Sequence, residues 1–383
     1  MVKLALLGAT GSIGTSTLAV LREQSAHFTL SLVSAHTDWQ SLLRIAEEFK
    51  VKTLVLTGIT YPRQQEELRR QLPRHRILYG GDGLLEALRE GDYDVALNAV
   101  SGSAGLQASF AIAQRGKRLA LANKESLVMA GHLLIPLIKE TGAKLIPVDS
   151  EHSALFQCIG DRPESEIRKV HITASGGAFR DLPLDRFADI TPQQALKHPN
   201  WNMGAKVTLD SATMFNKALE VMEAHWLFGL PYAKIGALLH PQSVVHSLVE
   251  FVDGSFLAQL SAPDMKLPIL CALAHPRRLP SQLVQTDLTR LGDLTFGALD
   301  PRRYPLFYLG LEVAREGGLL PTALNAANEA ALQLFLSGRI AFTDIHRLCA
   351  EALEDFANIP SPSLEEIISA NRAVFEAVTS RHN

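Results

Sequence analysis

The sequence predicts an α/β protein in three parts: a parallel sheet wrapped by helices at the N-terminus, an α+β middle domain, and a helical bundle at the C-terminus. Three observations carry this reading. Over residues 1–150, short apolar runs alternate with segments of helical period, the pattern of βαβ units whose parallel strands are covered on both faces. From 151 to 275 the alternation gives way to scattered strand-like runs, a long loop rich in Pro, Asn, Trp and Gly, and one long helix. Beyond residue 300 the pattern is helical throughout, most plainly in Ala323-Leu-Asn-Ala-Ala-Asn-Glu-Ala-Ala-Leu332. The 383 residues also exceed the ~250–300 that a single core usually supports.

Taken in order, strands are expected at Lys3–Leu7, Thr29–Val33, Thr53–Leu56, Val95–Ala99, Arg118–Ala120 and Lys144–Pro147. In the middle domain, 151–275, strands are expected at Lys169–Ala174 and Val244–Phe251, and a helix from about 212 to 228. The prolines, glycines and polar residues of 276–299 read as a linker, followed by the helical domain at 300–383.

Composition narrows the function. A formal net charge of -3 gives no general attraction for nucleic acid or an anionic membrane, so any anion must be met by a local site. The opening Met1-Val-Lys-Leu-Ala-Leu-Leu-Gly8 is too short an apolar run for a signal peptide, and no later run approaches the ~20 residues of a membrane span. A cytoplasmic enzyme with a small ligand is expected. Cys158, Cys271 and Cys349 are odd in number and flanked by apolar residues, which suits buried free thiols, and none lies near a base that would make it a nucleophile.

Gly8-Ala-Thr10-Gly11-Ser12-Ile13-Gly14 follows the first strand and opens the first helix. Glycines there permit a tight turn, close approach of backbone N–H groups to a pyrophosphate, and close packing of helix on strand. Thr10 and Ser12 add hydroxyl donors, and the first domain reads as a Rossmann-type dinucleotide site at 1–150. The second strand continues Ser34-Ala35-His36-Thr37-Asp38 and lacks the acidic residue that pairs with a free ribose 2′-hydroxyl, which favours NADP over NAD. Alternatively, Asp38 caps the next helix and His36 is simply exposed.

Asp149-Ser150-Glu151 comes directly after the last strand of that domain. If the backbone is extended there, both carboxylates point the same way and can share a cation; the alternative is a helix near His152 capped by Asp149 or Ser150. Glu220 adds a third carboxylate, with Asn216 and Lys217 on the same helical face at i, i+1 and i+4. Such hard oxygen ligands suit Mg²⁺, Mn²⁺ or Co²⁺ rather than structural zinc. Ser175-Gly176-Gly177 after a strand can form half of a phosphate cradle, with Ser211, Asn216 and Lys217 as the other half, although a Ser-Gly-Gly run is commonly just a turn. His198-Pro-Asn-Trp201-Asn-Met203-Gly204 reads as a closing lid, or else as an apolar plug under a long loop.

With these pieces placed, the sequence resembles the 1-deoxy-D-xylulose 5-phosphate reductoisomerase family. The resemblance rests on Gly8–Gly14, Ala122-Asn-Lys-Glu-Ser-Leu-Val128, Pro147–His152, Thr173–Gly177, His198–Gly204, Asp210–Phe228, His240–His246, Pro263-Asp-Met265 and Leu324–Glu329 in that order. It implies Asp149, Glu151 and Glu220 as metal ligands. Lys124 and Ser150 are implied at the substrate backbone, and Ser175, His198, Ser211, Asn216 and Lys217 mostly at its phosphate, under a lid bearing Trp201 and Met203. Thr10, Gly11, Ser12, Ile13, Asn123, Glu125 and Gly204 are implied at NADPH. Lys124, Glu151, His152, Glu220 and His246 form the implied catalytic set, and a homodimer is implied.

Two departures stand out. Family members commonly carry Ala-Gly-Lys-Asn or Ala-Gly-Arg-Asn after the second strand; this chain has Ala35-His36-Thr37-Asp38, so His36 and Thr37 must serve any 2′-phosphate. Ser175-Gly-Gly-Ala178-Phe179 replaces Ser-Gly-Gly-Pro-Phe, which loosens the turn without removing a donor. Three rivals remain open: a metal-independent NADP-dependent dehydrogenase, which a chelator would not stop; a relative of the family acting on a different sugar phosphate; and a non-catalytic nucleotide-sensing module, which has no use for three carboxylates and a phosphate cradle in register.

Overall fold

A computed structural model describes residues 1–201, 203–354 and 356–381. The chain groups into two units: residues 1–123, 134–149 and 265–284, and residues 124–133, 150–264 and 285–383. No described helix is long and apolar enough to cross a membrane.

The first unit is built on seven strands: β1 Val2–Leu7, β2 Phe28–Ala35, β3 Thr53–Leu56, β4 Arg76–Tyr79, β5 Val95–Asn98, β6 Arg118–Leu121 and β7 Lys144–Pro147. They lie in the order β4-β3-β2-β1-β5-β6-β7 and every pairing is parallel. Leu4, Leu6, Val33, Val55 and Leu97 are buried, as strands covered on both faces require. Strand order reverses between β1 and β5, so the crevice at the carboxyl end of β1, where the Gly8–Gly14 loop emerges, is where an open sheet of this kind takes a ligand. Strand β4 was not among the expected strands: it is four residues long at the sheet edge, with Arg76 exposed, Leu78 and Tyr79 half-buried, and an apolar run of only Ile77-Leu78-Tyr79. Towards the end of this unit, Glu23 accepts from Ser281 Oγ and Gln282 N, and Gln24 donates to the Pro280 carbonyl at 2.8 Å, tying 280–282 to the first helix.

The second unit holds four strands, β8 Ile167–Ala174, β9 Ile235–Leu239, β10 Val245–Phe251 and β11 Phe256–Leu260, in the order β11-β10-β8-β9. Strands β9 and β11 add to the two expected; both are five residues long and little buried. The helices Pro305–Glu316, Leu320–Leu336, Asp344–Glu354 and Leu364–Ser380 follow. Ala323, Ala326, Ala327, Ala330 and Ala331 are fully buried in the second of them, where small side chains let neighbouring helices approach closely. The α/β class, with an α+β middle and a helical C-terminus, is the architecture found.

Three local expectations need correction. The helix expected over 212–228 is present but starts only at Phe215, and a separate helix, Ala205–Ala212, precedes it, the two broken where Met214 takes a left-handed backbone (φ 60°). The segment after β7 is not extended: a helix spans Ser150–Ile159 and Glu151 sits in its first turn. Cys158 and Cys349 are buried free thiols, but Cys271 is only half-buried.

Candidate active site

Within the first unit, each glycine of the loop after β1 has a distinct reason to be there. Gly8 has φ +78°, and a Cβ on it would lie 2.7 Å from the Ala99 carbonyl oxygen. A Cβ on Gly14 would lie 2.4 Å from the carbonyl oxygens of both Gly8 and Ala9, so the helix Ser12–Glu23 can rest on the loop only without a side chain there. Gly11 is different: its Cβ would meet nothing closer than 3.4 Å, and Gly11 and Ser12 are exposed. What Gly11 keeps free is open space beside the helix N-terminus, whose first turn carries no acidic residue.

At the end of β2, His36 is exposed and its Nδ1 lies 3.2 Å from Thr57 Oγ1; Thr37 is exposed too. Asp38 accepts from the Ser41 N–H at 3.0 Å and caps the helix Trp39–Phe49, a hydrogen bond that lowers its carboxyl below the ordinary value. Its charge is committed to that helix. Asn123 is buried and donates to the Val100 and Gly102 carbonyls, both at 2.8 Å, fixing the loop after β5.

Within the second unit the helix Phe215–Phe228 carries the charged cluster. Glu220 is 1% exposed, a place a carboxylate tolerates only with partners. Lys124 Nζ donates to Glu220 Oε1 at 3.1 Å and to Asn216 Oδ1 at 2.7 Å, and Asn216 Nδ2 donates to Glu220 as well. Lys217 Nζ reaches Glu151 Oε1 at 2.8 Å and also bonds Glu220 Oε2. Burial works against the Lys217 charge, but Glu151 and Glu220 outweigh it and hold its ammonium above the ordinary value. Ser150 Oγ donates to Glu151 Oε2 at 2.5 Å. Asp149 is peptide-bonded to Ser150, and one oxygen from each of Asp149, Glu151 and Glu220 lies within 4.8 Å of the others. Three hard anionic donors at that spacing fit a divalent cation of the Mg²⁺ or Mn²⁺ type.

Against this cluster stands the turn after β8. Gly176 and Gly177 both have positive φ, and a Cβ on Gly177 would lie 2.4 Å from the Ser211 carbonyl oxygen, so the Ser-Gly-Gly turn packs directly on the end of the helix Ala205–Ala212. That contact brings Ser175 and Ser211 to one place, with Asn216 and Lys217 in the first turn of the next helix. The turn is held without the proline: Arg180 donates to the Ser175 carbonyl at 3.0 Å, Tyr304 to Gly176 at 3.0 Å, and Arg303 to Phe179 and Leu182 at 2.9 and 2.7 Å.

His198 fixes the direction of the Ser175 hydroxyl. Its Nδ1 accepts from the backbone N–H of Asn200 at 3.1 Å and of Trp201 at 3.0 Å, so the ring proton sits on Nε2 and is donated to Ser175 Oγ at 3.0 Å. Gly177 N–H also donates to that oxygen at 3.2 Å. With two donors received, Ser175 is left to donate its own hydrogen outward. Burial holds His198 down at about 4, which keeps the ring neutral for this role. Trp201 and Met203 are half-buried, Trp201 edge-on to His246 at 6.0 Å between ring centres, and Asn200 Nδ2 latches the loop to the Pro241 carbonyl at 2.7 Å. Asn202 lies outside the described residues, and Gly204 is exposed.

Family models match almost end to end: 1-deoxy-D-xylulose 5-phosphate reductoisomerase over residues 4–131, the C-terminal domain of the same enzyme over 145–228, and a DXP reductoisomerase C-terminal domain over 260–376. The 1-deoxy-D-xylulose 5-phosphate reductoisomerase of Thermosynechococcus vestitus is 45% identical over 373 residues, 96% of this chain and 90% of that protein. This chain belongs to the 1-deoxy-D-xylulose 5-phosphate reductoisomerase family. The reductoisomerase of Cupriavidus metallidurans is likewise 45% identical over 377 residues, 97% of this chain and 96% of its own. Among solved structures, a DOX-P reductoisomerase in complex with NADPH, fosmidomycin and magnesium superposes with a TM-score of 0.94 at 39% identity, covering all of this chain and 98% of that one. The Zymomonas mobilis enzyme in complex with NADPH gives 0.90 at 38%, covering all of this chain and 99% of that one.

Within this family member, Glu223 and Lys206 escaped the sequence reading. His152 and Glu223 are fully buried and face each other, Nδ1 to Oε2 at 3.3 Å, while His152 Nε2 donates to the Glu220 carbonyl at 2.8 Å. Lys206 bonds both Glu125 and Asp210 at 2.9 Å, and Asn328 donates to Asp210 at 2.7 Å. Burial depresses the Lys206 charge less than Asp210 and Glu125 support it, so the lysine stays cationic. Glu125 is thereby tied into the helix pair that carries Ser211. The Ala122–Val128, Asp210–Phe228 and Leu324–Glu329 motifs carry the Lys206 partners Glu125 and Asp210, and Asn328 beside them.

Proposed function

We propose that this chain converts 1-deoxy-D-xylulose 5-phosphate to 2-C-methyl-D-erythritol 4-phosphate, using NADPH and a divalent metal. The observation that carries the proposal is the convergence of three carboxylates, Asp149, Glu151 and Glu220, beside a phosphate-shaped set of donors. A dehydrogenase without a metal, or a nucleotide sensor, gives no account of that cluster.

When bound, the metal supplies Lewis acidity at neighbouring oxygens of the sugar and the nicotinamide supplies hydride. The protein does the rest by holding, orienting and drying. Asp149, Glu151 and Glu220 are the metal ligands. Lys124, anchored by Asn216 and Glu220, and Ser150, anchored by Glu151, are aimed at the hydroxyls of the sugar backbone. Ser175, oriented by His198, takes the phosphate with Ser211, Asn216 and Lys217 at the helix N-terminus. Trp201 and Met203 close over it and exclude water. Thr10, Gly11, Ser12 and Ile13 take the pyrophosphate of NADPH and Asn123, Glu125 and Gly204 its remainder; His36 and Thr37 are the groups left for its 2′-phosphate, since Asp38 is spent on capping. His246, which burial by itself pushes below the ordinary histidine range, bonds Ser261 Oγ at 2.9 Å and takes part in proton movement beneath Trp201. His152 stands with the catalytic set as the histidine next to Glu151.

By function we divide the chain into an NADPH domain at 1–150, a catalytic domain at 151–275, a linker at 276–299 and a helical domain at 300–383. The enzyme works in the cytoplasm as a homodimer. Edge strand β11, with Phe256, Leu257 and Leu260 exposed, is the face that supports the dimer.

The site assignment is tested by Glu220→Gln. The variant should lose turnover by about a hundredfold or more, because it removes a metal ligand outright where even supporting residues cost ten- to a hundredfold. NADPH affinity, measured by quenching of protein fluorescence, should stay within a factor of about two of the parent. Full turnover in the variant removes Glu220 from the metal.

A further inference from the structure

We propose that Lys217 couples the metal subsite to the phosphate subsite, so that each ligand binds tightly only with the other. The proposal rests on the metal and phosphate assignments above. Its basis is that a single ammonium is engaged by two groups that a cation would need: Lys217 Nζ lies 2.8 Å from Glu151 Oε1 and bonds Glu220 Oε2. A divalent cation held by Glu151 and Glu220 competes with that ammonium for the same carboxylate oxygens and repels it. The displaced ammonium has somewhere to go. Lys217 sits in the first turn of the helix Phe215–Phe228, next to Asn216 and close in sequence to Ser211, where a phosphate takes the charge it gives up.

Charge counting leads to the same conclusion. In the second unit the two carboxylates of Glu151 and Glu220 are balanced by the two ammonium groups of Lys124 and Lys217, and the side chains of Lys124, Lys217 and Glu220 are all at least nine-tenths buried. Counting Asp149, the third proposed metal ligand, the set carries one net negative charge; a dication alone makes it one positive, a phosphate dianion alone three negative, and the two together return it to its starting charge. Lys217 is the member that changes partner between the two states, which makes it the link between them. By thermodynamic reciprocity, the factor by which phosphate tightens the metal must equal the factor by which the metal tightens phosphate.

The measurement is the affinity of the full-length, metal-free protein for Mn²⁺, read from the free-ion electron paramagnetic resonance signal, with and without inorganic phosphate. Phosphate should tighten Mn²⁺ about tenfold in the parent, within the usual range for coupled sites. Complexation of Mn²⁺ by phosphate in solution also lowers the free-ion signal, so it is subtracted with a protein-free titration at the same phosphate concentration. In Lys217→Met and Lys217→Gln, Mn²⁺ should bind more tightly than in the parent when phosphate is absent, and the coupling factor should fall to about one. NADPH affinity confirms that each variant is folded. A parent with no coupling, or variants that retain it in full, overturns the proposal. Glu220→Gln separates the two levels: if it loses Mn²⁺ while the Lys217 variants behave as the parent, only the coupling is wrong; if it keeps Mn²⁺, the metal assignment fails first.

Discussion

His198 shows how much of this site is decided by single hydrogen bonds. Two backbone N–H groups terminate on its Nδ1, so the proton must be on Nε2, and through Ser175 that choice sets the direction of the hydroxyl proposed for phosphate. Burial lowers its pKa from 6.5 to about 4. Above 6.5 the ring is neutral in the folded and unfolded chain alike and costs nothing. As pH falls from 6.5 towards 4, the unfolded chain takes up a proton that the folded ring refuses, and the stability of the loop at 198–201 is lost across that window. Tryptophan fluorescence followed from pH 7 to 4 should therefore show a transition in the parent that is missing in His198→Asn; identical titrations would remove His198 from this role. The spacing of Asn216, Lys217 and Glu220 was legible because a helix turns three sequence offsets into one face. Glu223 was not, since a glutamate on a helix reads as solvated until the fold buries it against His152.

At the scale of elements, legibility followed apolar content. Strands β1, β2, β3 and β5 are mostly buried and lie inside the parallel sheet, and were found; β4, β9 and β11 are short, lie at sheet edges and are mostly not fully buried, so alternation alone could not mark them. The helix break at Met214 was invisible for another reason: one residue in a left-handed backbone leaves hydrophobic period almost unchanged. Yet that break starts a new helix with Asn216 and Lys217 in its first turn. The glycine loop allows a sharper test. Gly14→Ala should destabilise the protein by about 1–3 kcal/mol, as overpacking does, because its Cβ meets two backbone oxygens at 2.4 Å. Gly11→Ala should unfold at the parent's denaturant midpoint but bind NADPH at least about tenfold more weakly, the close approach of backbone to pyrophosphate being lost. Equal midpoints for both variants would contradict these separate roles.

For the whole molecule, the ordering of motifs was more informative than any motif by itself. Asp149 and Glu151 read alone suggested a helix cap, and a helix does begin at Ser150; the metal reading needed Glu220, seventy residues on, and the fold supplies the proximity. The family matches along nearly the full chain account for why those distant pieces are kept in register. The end of β2 carries an exposed histidine, His36, held by Thr57. The most direct measurement of the account as a whole is NADPH absorbance after the purified protein is mixed with 1-deoxy-D-xylulose 5-phosphate and Mn²⁺, with a parallel sample in excess chelator. Substrate-dependent NADPH loss with formation of 2-C-methyl-D-erythritol 4-phosphate is expected, abolished by the chelator. Oxidation that continues undiminished without metal, or no oxidation with metal and substrate both present, would contradict it.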